Sequence, residues 1–215
     1  EIIKPGNYTL QQNLVVTSPQ CFEVNAKNVA INCAYHSITL STSNPQEAAF
    51  EFNKENNVSI SNCTLTNFPY AIAASNLSGA RIYNINSSDA RIAIMLYNVS
   101  DANVHNTIIN GASNTSIYMN GVSNSVVYDN NITGTDTNIG ILIANSTYNI
   151  IASNKGIKNK IGIYFAGDSL NNNVSNNTMQ ISSTSDYACS AKDSAINAEK
   201  GGINFGSTKQ NCNWL

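Results

Sequence analysis

Residues 159–180 read NKIGIYFAGDSLNNNVSNNTMQ, two apolar bursts separated by a tract of Asn, Ser, Gly and Asp. Neither burst is long enough for a helix, and the tract alone reads as disorder. The stretch is one line of a repeat. Apolar–x–apolar triplets recur at Phe50-Glu51-Phe52, Ile72-Ala73-Ala74, Ile94-Met95-Leu96, Ile117-Tyr118-Met119, Ile141-Leu142-Ile143 and Ile163-Tyr164-Phe165, their first residues 22 to 24 positions apart. A seventh, Ile203-Asn204-Phe205, follows a longer insertion. A second series, Asn62, Asn84, Asn106, Asp129, Asn154 and Asn176, runs beside the first at a similar interval. Self-similarity at a fixed interval marks a repeat architecture.

A unit of this length, holding two or three short strands, cannot bury its apolar face alone. Stacking units at the roughly 4.8 Å strand spacing creates a continuous interior. The asparagines then occupy corners, where they tolerate left-handed backbone and bond along the axis. β-Branched and aromatic residues dominate the bursts, whereas a helical solenoid needs amphipathic runs of ten or more residues. The expected fold is all-β, a parallel β-helix of about 8–9 coils of 22–25 residues. Residues 1–23 are expected to form an N-terminal strand or edge segment, residues 24–182 the coils, and residues 183–215 an irregular insertion and a final coil.

Period-two alternation places the first and third residue of each triplet inside. The middle residues, Glu51, Ala73, Met95, Tyr118, Leu142 and Tyr164, then form an outward column that turns from charged to apolar. Contiguous apolar patches mark contacts, so Met95, Tyr118, Leu142 and Tyr164 are candidates for an interaction surface or a sugar platform, bordered by Tyr97. Scattered exposed apolar residues would mean nothing.

Charged residues make up 11% of the 215 and the net charge is −2, which supplies no footprint for nucleic acid or an anionic membrane. No apolar run approaches the ~18–20 residues of a membrane span. The chain opens on Glu1, as a mature exported form would. Its five cysteines show no metal-ligand spacing. Two local disulfides, Cys21 with Cys33 and Cys189 with Cys212, are expected, with Cys63 left over in the core.

Catalysis finds little support. Glycoside hydrolysis needs two carboxyls ~5–10 Å apart, and no convincing pair can be nominated. Asp136, Lys158, Lys160 and Asp168 fall about one coil apart around a turn, where solvated charge is the plainer reading. His36 and His105 stand alone, and phosphate-cradling and calcium-repeat motifs are absent. No cofactor or metal is expected. The recurrent signal is N-x-[ST], at Asn7, Asn57, Asn76, Asn86, Asn98, Asn114, Asn131, Asn145 and Asn173, with Asn62 and Asn176 as poorer sites on the proposed inner ladder. These are candidate glycan acceptors. Corner chemistry that mimics the motif is the competing explanation.

The fragments GIYFAGDSLNNNVSNNTM, NNVSISNCTLTNFPYAIAASN and GVSNSVVYDNNITG resemble the right-handed parallel β-helix repeat family, over roughly residues 24–182. The opening, KPGNYTLQQNLVV followed by CFEVNAKNVAINC, is similar to the first coils of secreted archaeal and bacterial members. The resemblance implies the fold. The activities it spans, from polysaccharide lyases and hydrolases to adhesins, surface-layer proteins and assembly factors, are too diverse to imply one. Solenoid ends expose strand edges, and neither terminus reads as a polar cap. The expectation is an extracellular or cell-surface structural glycoprotein that pairs with copies of itself, through head-to-tail stacking or donation of an N-terminal strand carrying Ile2, Ile3 and Tyr8, with Trp214 at the other end. The competing expectation is a carbohydrate-active enzyme or a carbohydrate-binding or adhesin module, with polysaccharide as partner.

Overall fold

The computed structural model describes residues 1–17, 21–42, 48–180 and 183–189, and the strand backbones at 195–197, 209–210 and 213–214. Every pairing between strands is parallel, and each strand pairs with the one a coil earlier and a coil later. The chain is a parallel β-helix of about eight full turns, with no helix among the described residues.

Each coil runs through three faces. The first holds Phe22–Val24, Ala48–Asn53, Tyr70–Ser78, Ile92–Ser100, Thr115–Asn120, Ile139–Ala144, Ile161–Ala166 and Ser185–Cys189. Second-face strands include Gly6–Thr9, Val29–Asn32, Asn103–His105, Val126–Tyr128, Ile150–Ala152 and Asn172–Ser175. The third includes Leu14–Val16, Ser37–Leu40, Ile108–Asn110, Asn131–Thr133, Lys155–Ile157 and Thr178–Gln180. Two long strands, Val58–Thr66 and Arg81–Ser88, bend from the second face into the third.

The triplets stack in register. Phe50, Ile72, Ile94, Ile117, Ile141 and Ile163 form one buried column, and Phe52, Ala74, Leu96, Met119, Ile143 and Phe165 the next. At about 25 cal/mol per Å², each buried Ile or Phe contributes roughly 1.5–3 kcal/mol. A third column precedes them and is made of small residues, Ala49, Ala71, Ala93, Ser116, Gly140 and Gly162. A Cβ on Gly162 would strike the carbonyl oxygen of Asp186 in the next coil and Met179 Cβ, 2.8 Å away. Gly162→Ala is therefore expected to cost about 1–3 kcal/mol, read as a lower urea midpoint.

Corners explain the asparagine. Of the 22 described non-glycine residues with positive φ, 12 are Asn and 4 are Asp. These side chains tolerate the left-handed region at the least cost after glycine. Asn62, Asn84, Asn106, Asp129 and Asn176 turn from the second face to the third with φ of 53–55°. Asn154 does not belong with them. Ser153, φ 56°, turns that corner, and Asn154 points inward. The true inner column lies one residue later, at Cys63, Ile85, Thr107, Asn130, Asn154 and Asn177.

Its asparagines are fully buried and bonded. Asn154 Oδ1 accepts from Asn130 N (3.2 Å) and Asn130 Nδ2 (2.8 Å). Asn154 Nδ2 donates to Val127 O (2.9 Å) and Asn177 Oδ1 (2.9 Å). A second buried ladder links Asn149 to Asn172 in the same way. Where the inward corner residue is Cys63 or Ile85, one strand continues through the bend. Where it is Thr107 or an asparagine, the corner N–H goes to a side chain of the next coil, and the strand splits in two.

Two expectations about the N-terminus fail. Residues 1–23 are no separate edge segment but the first coil: Ile2 bridges Val24, and Gly6–Thr9 pairs with Val29–Asn32. Ile2 is buried, so it is core and not a free donor, whereas Ile3 stays 63% exposed. The period already places Tyr8 against Ile31, 23 residues on. Regular winding also passes residue 182, because Ser185–Cys189 keeps register with Ile161–Ala166. Ile203-Asn204-Phe205 and the side chain of Trp214 lie outside the described residues.

Candidate functional site

The outward column of the first face forms as the alternation requires: Glu51, Ala73, Met95, Tyr118, Leu142, Tyr164 and Ala188 in axial register. Met95, Tyr118, Leu142 and Tyr164 are half-buried by one another and by flanking columns. Tyr97, the expected border residue, is 43% exposed, and Tyr70 adds aromatic surface that the triplets alone do not reveal. Asn120 Nδ2 donates to Tyr118 Oη at 2.9 Å and fixes that ring's tilt. From Ala73 to Ala188 the column carries no charge.

Glu23 and Glu51 are axial neighbours at the start of this column, and the buried Asp186 lies six coils beyond Glu51. One rise of ~4.8 Å separates the backbones of Glu23 and Glu51, whereas six rises put Asp186 about 29 Å from Glu51. Two-carboxylate hydrolysis needs ~5–10 Å. Asp186 cannot work with Glu51, but Glu23 and Glu51 do form an adjacent carboxylate pair, which a separation of 28 positions hides in the sequence. Asp136 and Lys158 do meet at one corner, where Asp136 N donates to Lys158 O at 2.7 Å, but Asp168 sits at the opposite end of the first face, bonded through its N–H to Asn145 Oδ1.

His105 is not solitary. It is stacked between Tyr83 and Tyr128 on the outside of the second face, with ring centroids 5.3 and 4.8 Å away and nearly parallel planes. Burial holds the imidazole below its ordinary pKa, against the opposing pull of Asp129. The register could have exposed this row, since Tyr83, His105 and Tyr128 are 22 and 23 residues apart. His36 lies three coils away, its Nδ1 3.3 Å from Asn13 Oδ1.

The sequons have a structural grammar. At Asn57, Asn62, Asn76, Asn98, Asn145 and Asn176 the asparagine turns a corner with positive φ, the next residue points inward, and the Ser or Thr points out. Asn98 Nδ2 donates to Asn76 Oδ1 (3.2 Å) and Asn57 Nδ2 to Asn28 Oδ1 (2.8 Å), so these amides are already engaged. The acceptor candidates Asn7, Asn86, Asn114 and Asn131 are exposed without positive φ, and Asn173 is half-buried.

The cysteine pairing is corrected. Cys33 joins Cys63, not Cys21, with Cα atoms 4.9 Å apart, the distance of one coil. Axial stacking makes residues 30 apart neighbours, while the 12 residues from Cys21 to Cys33 lead from one face to another. The signal was present in the steps Ile31-Asn32-Cys33 and Ser61-Asn62-Cys63, one coil apart, although Asn211-Cys212 repeats the Asn-Cys step elsewhere. Cys21 is a free thiol, pushed up in pKa by burial. Cys189 is disulfide-bonded, and Cys212 lies outside the described residues.

Fold and surface together define a parallel β-solenoid with a stacked core and a first face whose outward column is acidic at Glu23 and Glu51 and uncharged from Ala73 to Ala188. The sequence matches, over residues 7–205, the family described as periplasmic copper-binding protein (NosD), and the chain belongs to that family. No curated protein sequence matches it. Among solved structures it is similar to the alginate lyase from Paenibacillus sp. str. FPU-7, at 12% identity over 87% of this chain and 91% of the other, TM-score 0.45. It is also similar to Geobacillus virus E2 ORF18 (12%, 98% and 50%, TM-score 0.42) and to the A-module of Azotobacter vinelandii mannuronan C-5 epimerase AlgE6 (9%, 99% and 89%, TM-score 0.30). At these identities the likeness concerns winding, not chemistry. The family is a periplasmic one, and no described helix is long and apolar enough to cross a membrane.

Proposed function

We propose that this is an exported, non-catalytic glycan-binding solenoid whose first face carries an extended, largely uncharged polysaccharide. One observation carries the reading. Tyr118 and Tyr164 stand in one axial column two coils apart, on a face without charge between Ala73 and Ala188. Two rises of ~4.8 Å make that interval about 10 Å, close to a disaccharide step in an extended chain. Aromatic faces offer apolar contact to sugar rings, and Asn120 and the tyrosine hydroxyls offer the polar ones. The adjacent carboxylates of Glu23 and Glu51 end three rises, about 14 Å, short of Tyr118, so the aromatic stretch itself carries no carboxylate pair.

The family's description names copper. Copper favours imidazole, thiolate and thioether donors. Here the two histidines are three coils apart, and Met119 and Met179 are buried in the core. Among the described residues no three His, Cys, Asp or Glu side chains come together. The donors do not fit a copper centre, and the proposed function does not run through one.

Affinity electrophoresis through gels holding neutral or acidic polysaccharides tests the reading. Retardation by a neutral polymer is expected, with at least a tenfold loss of affinity in Tyr118→Ala/Tyr164→Ala. Release of reducing ends from the polymer, or retardation unchanged in the double variant, would overturn it.

A further inference from the structure

The second face holds a site of different character. Its outward columns carry no carboxylate on the described strands and one formal cation, Arg81. Arg81 is exposed and has neither an ion pair nor a side-chain hydrogen bond among the described residues. The register explains why it stands over a depression. Its axial predecessors are Ser59, Ala30 and Asn7, and the small side chains of Ser59 and Ala30 leave a floor between Asn7 and Arg81. The hollow has a volume of about 220 Å³.

Asn28 and Asn57 form its side wall, both held at positive φ by the corner they turn. Their mutual bond, Asn57 Nδ2 to Asn28 Oδ1, leaves the Asn28 amide hydrogens and the Asn57 carbonyl oxygen for a ligand. One unpaired cation, three amides and a hydroxyl around a shallow floor suit a polyhydroxylated ring bearing one negative group. Arg presents paired N–H donors that match a carboxylate.

We infer that this hollow binds a single uronic-acid residue of an acidic glycan, its carboxylate on Arg81 and its hydroxyls on Asn7, Asn28, Asn57 and Ser59. The site is on a different face from Tyr118 and Tyr164 and stands whether or not that platform binds sugar. A peptide carboxylate shares the charge but not the hydroxyls, so the amide wall favours the sugar.

Calorimetric titration of the full chain with an oligogalacturonate tetramer tests the assignment, beside its carboxyl-reduced analogue, a polyglutamate peptide and inorganic sulfate. The tetramer is expected to bind, the reduced analogue to bind at least tenfold more weakly, and peptide and sulfate to compete poorly. Arg81→Gln should lose at least tenfold, Arg81→Lys less, and Lys155→Gln, at an exposed cation of the third face, nothing. Equal binding by Arg81→Gln, polyglutamate as tight as the tetramer, or no binding by the wild-type chain would each overturn it.

Discussion

Replacing Asn154 with alanine is expected to destabilise the protein by about 3–5 kcal/mol, a large fraction of the roughly 5–15 kcal/mol of an ordinary domain. The side chain accepts two hydrogen bonds and donates two, all within the core. Each is worth roughly 1 kcal/mol net, and the truncation also strands the Asn130 N–H, the Asn130 amide and the Val127 carbonyl away from water, at ~1–3 kcal/mol for each group that finds no substitute. Asn176→Ala is the matched comparison. It sits one column outward, is exposed, and should lose about 1–2 kcal/mol through its left-handed preference and its surface contacts. Urea unfolding followed by far-ultraviolet circular dichroism ranks the two. A loss in Asn154→Ala no larger than in Asn176→Ala would show that the buried ladder does not hold the later coils together.

The second large effect belongs to the disulfide. Cys33 and Cys63 close a loop of 30 residues across the first coils. Chain-entropy arguments put such a crosslink at about 2–4 kcal/mol, so Cys33→Ser/Cys63→Ser should unfold at clearly lower urea, with the deficit growing no further on adding reductant at these sites. The connectivity is read separately. Tryptic digestion without reduction should join peptide 28–54 to peptide 55–81 and leave Cys21, in peptide 1–27, open to alkylation under denaturing conditions. A crosslink from Cys21 to Cys33 would refute the axial pairing.

Both effects arise from contacts along the solenoid axis, and that is where the sequence was hardest to read. The core columns were legible because Ile72, Ile94, Ile117, Ile141 and Ile163 are spaced by nearly equal intervals and flanked by alternating partners. The stripe from Met95 to Tyr164 followed from the same alternation. Asn154 was misassigned because an asparagine can either turn a corner or fill it, and composition does not distinguish the two. Only the adjoining Ser153, which takes the positive φ, separates them. Cys21 and Cys33 looked like partners because they are close in sequence. In a coil, nearness along the chain means another face, and nearness in space means one full turn.

The sequence by itself determined the period, the all-β class, the inward columns and the uncharged outer stripe, because alternation and spacing are one-dimensional properties that stacking preserves. Tertiary structure alone decided which asparagine faces the core, which cysteines meet, that Ile2 is buried, and that Arg81 overlooks a floor of small side chains. Each of these depends on what lies one coil above or below. That identity changes when a coil is a residue longer or shorter, so it is settled only once the turns are laid on one another.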